Sequence, residues 1–293
     1  MNEGIVRVDE GIDLYYRWAG AGPLLTLVPN GLHLERDFQP LAAGRRLVFY
    51  DVRNRGRSST VTDQSKLTRG IHNDVDDLDK VRQHFEADRV DVIGHSYAGV
   101  IALLHALHHP AHVRRLVAIG TMGPRPAVQY EPPLSYRDAV MQSVFARLGD
   151  LESQRQSLTP TGFCERFWTV LREIYVTNPA DADRIQWSRC DLPNELTFRA
   201  YWIRYLLPSL NAVALTADEV RSINVPALLV HGTKDRSAPL GGARDWASGL
   251  PHAHLVEVEN AGHAPWIESP EVVFEAMRAF LEQKTEFGNW VIG

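Results

Sequence analysis

Val90-Asp91-Val92-Ile93-Gly94-His95-Ser96-Tyr97-Ala98-Gly99 decides how this chain is read. The apolar run at 90–93 passes directly into a glycine-flanked serine. Residues 100–108 then read as an apolar helix stopped by Pro110, and 116–120 is another apolar strand. Strand, helix and strand at this spacing make a crossover unit, which joins parallel strands and is almost always right-handed. At such a strand-to-helix turn a side chain stands above the carboxyl edge of the sheet, where open α/β folds bind ligands. Small residues are needed on either side, because the turn is strained and the helix passes close to the strand. Gly94 meets that need, whereas Ala98 brings a methyl to the second small position.

Working outward, residues 12–18 and 23–28 are β-type runs separated by Ala19-Gly20-Ala21-Gly22, and 46–50 is a further strand. A helix is expected from about Thr68, with Thr68 as its N-cap. Ile71, Val75, Leu78, Val81 and Phe85 form its apolar stripe, and Asp74, Asp76, Asp77 and Asp79 fall mostly off it. From 124 to 222 no convincing strand occurs. Helical patterns and a dense aromatic population fill the segment, including Phe163, Phe167, Trp168, Tyr175, Trp187, Phe198, Tyr201, Trp202 and Tyr205. Strand–helix alternation resumes with a strand at 227–232, a helix at 242–249, a strand at 254–258 and a helix at 271–282. The expected organisation is a mostly parallel sheet flanked by helices, built from 1–123 and 223–293, with 124–222 as a helical lid. The tail 284–293 carries Phe287 and Trp290, which suit docking on the body.

A serine hydroxyl is a poor nucleophile until a base takes its proton, and that base is usually a histidine oriented by a carboxylate. Two downstream loops fit. Asp235 follows the strand ending at His231-Gly232, and His263 follows the next strand, so both loops open on the same sheet edge as Ser96. An oxyanion hole needs the amide after the nucleophile, here Tyr97, and one from the loop after the third strand, Pro29-Asn30-Gly31-Leu32-His33; Leu32 N–H is the expected donor. Phe163, Phe167, Trp168, Trp202 and Trp266 are the candidate apolar pocket.

The remaining features bound the function. A chain of 293 residues with 44% hydrophobic and 23% charged residues is globular and long enough for a large core. A net charge of −5 leaves no basic stripe for nucleic acid or an anionic membrane. No apolar run approaches the ~18 residues of a membrane span, and the N-terminus shows no signal peptide, so the expected location is the cytoplasm. Cys164 and Cys190 lack metal or redox spacing and read as two thiols in a reducing compartment. His105, His108, His109 and His112 crowd one helix end, but Pro110 interrupts it and no carboxylate joins them in sequence, so they read as a solvated end with no metal. His95 reads as locally packed, and Arg53, Arg55 and Arg57 as loop arginines pairing with Asp51 and nearby carbonyls.

Together, the Asn30-Gly31 loop, residues 50–58, the Ser96 turn, the Asp235 loop and Gly262-His263 resemble the α/β-hydrolase-fold serine hydrolases. Within that family, 51–58 and 263–268 resemble proline iminopeptidases and related esterases, although the His-Gly-Gly-Pro-Gly oxyanion motif of those peptidases is absent and Asn30-Gly31 replaces the usual His-Gly. Family members with Asp at the turn, the haloalkane dehalogenases and epoxide hydrolases, differ at Ser96. The resemblance implies a cofactor-free serine esterase acting on small to medium apolar substrates. Three alternatives are an aminopeptidase, with Glu165, Glu173 or Glu195 holding the substrate ammonium, a ligand receptor on the same fold, and a lyase or cofactor-free oxygenase.

Overall fold

Alternation along the central strands sorts side chains into two cores. Val48 and Tyr50, Val90 and Val92, Leu116 and Ala118, and Ala227 and Leu229 bury into one face. Leu47 and Phe49, Ile93, Val117 and Ile119, and Leu228 and Val230 bury into the other. Strands covered on both faces need helices on both sides, and the computed structural model, which describes residues 2–132, 138–186, 189–192 and 194–282, has them. Strands β1 (Glu3–Asp9), β2 (Ile12–Ala19), β3 (Leu24–Pro29), β4 (Arg45–Tyr50), β5 (Val90–His95), β6 (Val113–Ile119), β7 (Ala227–Gly232) and β8 (Ala253–Val258) form one sheet in the order β1-β2-β4-β3-β5-β6-β7-β8. The β1–β2 and β2–β4 pairs are antiparallel and the rest parallel.

Helices α1 (Glu35–Phe38), α2 (Ile71–His84) and α3 (Tyr97–His108) connect the first six strands. Between β6 and β7 run α4 (Ala139–Ser153), α5 (Pro160–Leu171), α6 (Glu195–Tyr201), α7 (Leu207–Asn211) and α8 (Ala217–Ser222), with no strand among the described residues. Then come α9 (Leu240–Gly249), α10 (Pro265–Glu268) and α11 (Pro270–Leu281). The chain leaves β3 for β4 on one side and returns to β5 on the other. That reversal opens a crevice between the carboxyl ends of β3 and β5. Trp187 and the tail at 284–293 lie outside the described residues.

Several expectations change. β1 adds an unforeseen antiparallel edge strand. β6 begins at Val113, earlier than read, because its charged start is internally partnered: Arg114 Nε donates to Asp91 at 2.8 Å. Thr68 does not cap α2; its hydroxyl donates to Ser65 O at 3.0 Å, the helix starts after Gly70, and Ile71 N–H donates to Ser209 Oγ of α7 at 2.9 Å. Asp74, Asp77 and Asp79 are buried, because helices and the insertion cover the side of α2 beyond its apolar stripe.

The cysteines are corrected as well. Cys164 of α5 and Cys190 form a disulfide across 26 residues, which removes the cysteine-based case for a reducing compartment. Spacing alone carried no sign of this bond, since it depends on the insertion folding Cys190 back onto α5. No helix among the described residues is long and apolar enough to cross a membrane. Closing a loop of this length is worth roughly 3 kcal/mol in the chain-entropy account. Cys164→Ser should therefore lower the unfolding free energy by up to that amount in denaturant titration, and non-reducing peptide mapping should recover the 164–190 cross-link. Two free thiols on mapping would contradict the pairing.

Candidate active site

Ser96 sits at the mouth of the β3/β5 crevice with φ 57° and ψ −128°, a left-handed conformation that a non-glycine residue holds only when its surroundings enforce it. They do. Ser96 N–H donates to Ile119 O and Gly99 N–H to Ser96 O, both at 2.9 Å. A Cβ on Gly94 would lie 2.2 Å from Ala98 O, so only glycine lets α3 turn this tightly over β5. The methyl of Ala98 is itself buried in the core without conflict. The close approach falls instead on Gly99, where a Cβ would meet Thr121 Oγ1 at 2.6 Å.

Asp235 and His263 arrive from the loops after β7 and β8. His263 Nδ1 lies 2.8 Å from Asp235 Oδ2, with both side chains buried. Asp235 Oδ1 accepts the amides of Ser237 at 2.7 Å and Ala238 at 2.9 Å. Burial alone would raise this carboxyl, yet the His263 and His231 imidazoles hold it below the ordinary carboxylate range. It is an acceptor, so Nδ1 of His263 carries the proton and Nε2 is left as the basic nitrogen. His231 is a partner that the sequence reading missed. Its Nε2 lies 3.3 Å from Asp235 Oδ2 and 2.8 Å from Ala238 O, which anchors the Asp235 loop.

His263 is carried back over the ends of β5 and β6. His95 Nε2 donates to His263 O at 3.1 Å, and the two rings lie 4.7 Å apart. A Cβ on Gly120 would stand 3.0 Å from His263 Nδ1, so the chain must be bare there. From the insertion, the Tyr175 ring lies 4.9 Å from that of His263, and Ala264 N–H donates to Tyr175 O at 2.9 Å. His95 is packed as expected, its imidazole held far below the ordinary value by burial and by His263. His33 also faces this cluster, 6.2 Å from His95 ring to ring; burial and the Arg55 guanidinium lower it to about 3, so it is neutral.

Leu32 opens the helical turn Leu32–Leu34, and Tyr97 opens α3. The first amides of a helical turn lack intrahelical acceptors, and both turns start at the carboxyl ends of β3 and β5. The aromatic expectation divides. Phe163, Phe167 and Trp168 line a cavity of about 460 Å³ in the insertion together with Glu195 and Arg199. Trp202 instead packs on Tyr97 at 5.1 Å. Trp266 is buried against Phe38 and His95, and its Nε1 donates to Asp37 at 3.2 Å.

The arginines meet the expected partners only in part: Arg53 donates to the Lys66 carbonyl at 3.0 Å, but its main partner is elsewhere. Arg53 makes a two-bond fork with Asp77 at 2.6 and 2.7 Å, and Arg55 pairs with Glu195 of α6 at 3.1 Å. Arg57 meets Asp51 through its backbone N–H at 3.3 Å, and the Arg55 guanidinium acts on the same carboxyl electrostatically. These acids come from distant segments, which neighbour-based reading could not supply. A carboxylate also joins the histidine cluster after all: Asp79 of α2 accepts from His112 Nδ1 at 2.8 Å, and Asp79, His109 and His112 bring their ligand atoms within 4.8 Å of one another. Arg82 Nε already donates to Asp79 at 2.8 Å. The cluster lies at the far end of α3, ~18 Å from Ser96 along a 12-residue helix.

Comparison with known proteins agrees with this geometry. The family model for the alpha/beta hydrolase fold matches residues 28–270. The chain is 24% identical to a proline iminopeptidase of Saccharolobus solfataricus, covering 97% of this chain and 93% of that one. It is 25% identical to a pimeloyl-[acyl-carrier protein] methyl ester esterase of Vibrio atlanticus, covering 92% and 98%. Among solved structures, an esterase from Exiguobacterium antarcticum superposes with a TM-score of 0.71 at 20% identity, covering 95% of this chain and 99% of its own. With the family model spanning most of its length, and with its sheet order and strand-end loops as described, the chain belongs to the alpha/beta hydrolase fold family.

Proposed function

We propose that the protein is a serine hydrolase that cleaves carboxylic esters of small molecules through an acyl-enzyme, without a cofactor. The observation that carries this reading is the buried 2.8 Å pairing of His263 Nδ1 with Asp235, which leaves Nε2 as the basic nitrogen on the same sheet edge as a serine held in a strained turn. Ser96 Oγ attacks the acyl carbon as its proton passes to His263 Nε2. The amides of Leu32 and Tyr97 stabilise the oxyanion. The C–O bond then breaks, and the leaving alkoxide takes the proton from His263. Water repeats the sequence and releases the acid. Asp235 orients the imidazole and stabilises its charged form.

Residues 124–222 act in this reading as a lid over the core formed by 1–123 and 223–293, and the aromatic cavity of the insertion houses an apolar portion of the substrate. The aminopeptidase alternative needs a carboxylate free for a substrate ammonium. Glu165 is exposed and Glu173 is bound by Arg147 at 2.9 Å, whereas Glu195 pairs with Arg55 through Oε1 and keeps a buried Oε2 without a partner in the lining of the insertion's cavity, so it is the glutamate this alternative would use.

Ser96→Ala and His263→Ala should each lower kcat on p-nitrophenyl acetate by several orders of magnitude, with the double variant little worse than either, because the residues act as a unit. Asp235→Asn should cost on the order of 10⁴-fold, by favouring the wrong imidazole tautomer. Additive losses, or a near-normal Asp235→Asn, would overturn the assignment. EDTA dialysis should leave the rate unchanged, since the Asp79–His109–His112 group lies far from Ser96; loss of activity restored by Zn²⁺ would contradict this.

A further inference from the structure

Asp79 of α2 is met by more nitrogens than its carboxylate can seat. Arg82 Nε and Nη2 lie 2.8 and 3.2 Å from it, Gln83 Nε2 2.7 Å, His112 Nδ1 2.8 Å and His105 Nε2 3.4 Å. A carboxylate offers about four lone-pair sites, so five donors leave one in surplus. Arg82 and the Gln83 amide have only protons to present. An imidazole nitrogen can present a lone pair instead. His105 is fully buried, and the nitrogen it turns to the carboxylate acts as a donor. The half-buried His112 is the group left to change from donor to ligand.

The chain puts a second imidazole beside it. Pro110 opens the 3-10 turn Pro110–His112 after α3, and side chains three residues apart eclipse in such a turn. His109 stands at the start of the turn, and His112 N–H donates to His109 O at 2.9 Å. The two rings stack 5.6 Å apart and 4° from parallel. One ligand atom from each of Asp79, His109 and His112 therefore lies within 4.8 Å of the other two. Zinc bonded at ~2.1 Å spaces tetrahedral ligand atoms by about 3.4 Å, a closure that rotation of two half-buried rings supplies. Asp79 is buried and is held in place by Arg82 and Gln83, as ligating carboxylates are by their outer hydrogen bonds.

We propose that Asp79, His109 and His112 bind one divalent transition-metal ion of the zinc type at the far end of α3 from Ser96. Two imidazoles and a carboxylate suit zinc and its neighbours in the series, whereas magnesium and calcium take oxygen ligands. The ion takes the place of the proton between His112 and Asp79. Nδ1 gives its lone pair to the metal, the ring carries its proton on Nε2, and water completes the coordination. Arg82 keeps its share of the carboxylate, which holds the affinity below that of a closed four-ligand zinc site. The ion ties α2 to the turn after α3, so it acts on stability and leaves the chemistry at Ser96 alone.

The test titrates Zn²⁺ into the folded chain after chelator dialysis, by calorimetry and by thermal unfolding. The wild type should bind one equivalent and melt at a higher temperature, because an ion held only by the native state stabilises it. Mg²⁺ and Ca²⁺ at the same concentration should do neither. His109→Gln and His112→Gln should each weaken zinc binding by about tenfold or more, and His252→Gln, outside the cluster, should leave it unchanged. Each variant is first shown to unfold cooperatively without metal, and if one does not fold, the other histidine variant decides. Turnover of p-nitrophenyl acetate should be the same with and without Zn²⁺. A wild type that binds no zinc would overturn the site, as would zinc binding that survives undiminished in the histidine variants or an equal response to Mg²⁺.

Discussion

The left-handed backbone at Ser96 is the constraint around which this molecule is organised. At φ 57° it costs on the order of 1 kcal/mol or more, and it persists because three independent contacts enforce it. The Ile119 carbonyl takes the Ser96 amide, Ser96 O takes the Gly99 amide, and the bare Gly94 lets the Ala98 carbonyl approach. Each contact depends on β5 lying parallel beside β6 with α3 crossing close above. The fold thus fixes the turn, and the turn places Ser96 at the crevice that the strand reversal opens between β3 and β5.

Long-range polar pairs then fasten the loops around that turn. Asp235 is fixed by two amides and two imidazoles, and it holds His263 in the tautomer a base requires. Glu268 accepts the amides of Gly262 at 2.6 Å and Thr177 at 2.7 Å, which joins the His263 loop to the insertion. Arg55 reaches from the core to Glu195 of α6, with Phe198 stacked 4.1 Å from its guanidinium carbon. A buried pair is a weak source of net stability, but breaking one is costly. The Arg55–Glu195 pair ties α6 to the loop that follows β4.

Local signals were legible in the sequence and distant ones were not. The strands at 90–93, 116–120 and 227–232, and the turn at Gly94–Ser96, announce themselves through apolar runs meeting glycine. Asp235 and His263 follow because each lies just beyond a strand end. The edge strand β1 was missed because its exposed face and short apolar face give a faint alternation. Asp74, Asp77 and Asp79 fall off the apolar stripe of α2 and are nevertheless buried; their burial depends on α3, the Arg53 loop and the insertion, none of which a window along α2 contains. The Cys164–Cys190 bond, the Arg55–Glu195 pair and the role of His231 are likewise tertiary events between segments whose spacing carries no local signature. Thr68 carried a plausible capping side chain, yet α2 found its first acceptor in Ser209, 138 residues away.

An activated serine is the central claim, and it can be read without knowing the substrate. A fluorophosphonate probe reacts only with a serine whose proton an adjacent base removes. Intact-mass analysis of the whole chain should show a single adduct, peptide mapping should place it on Ser96, and Ser96→Ala should show none. A wild-type protein that stays unlabelled, or an adduct that persists in Ser96→Ala, would contradict the account.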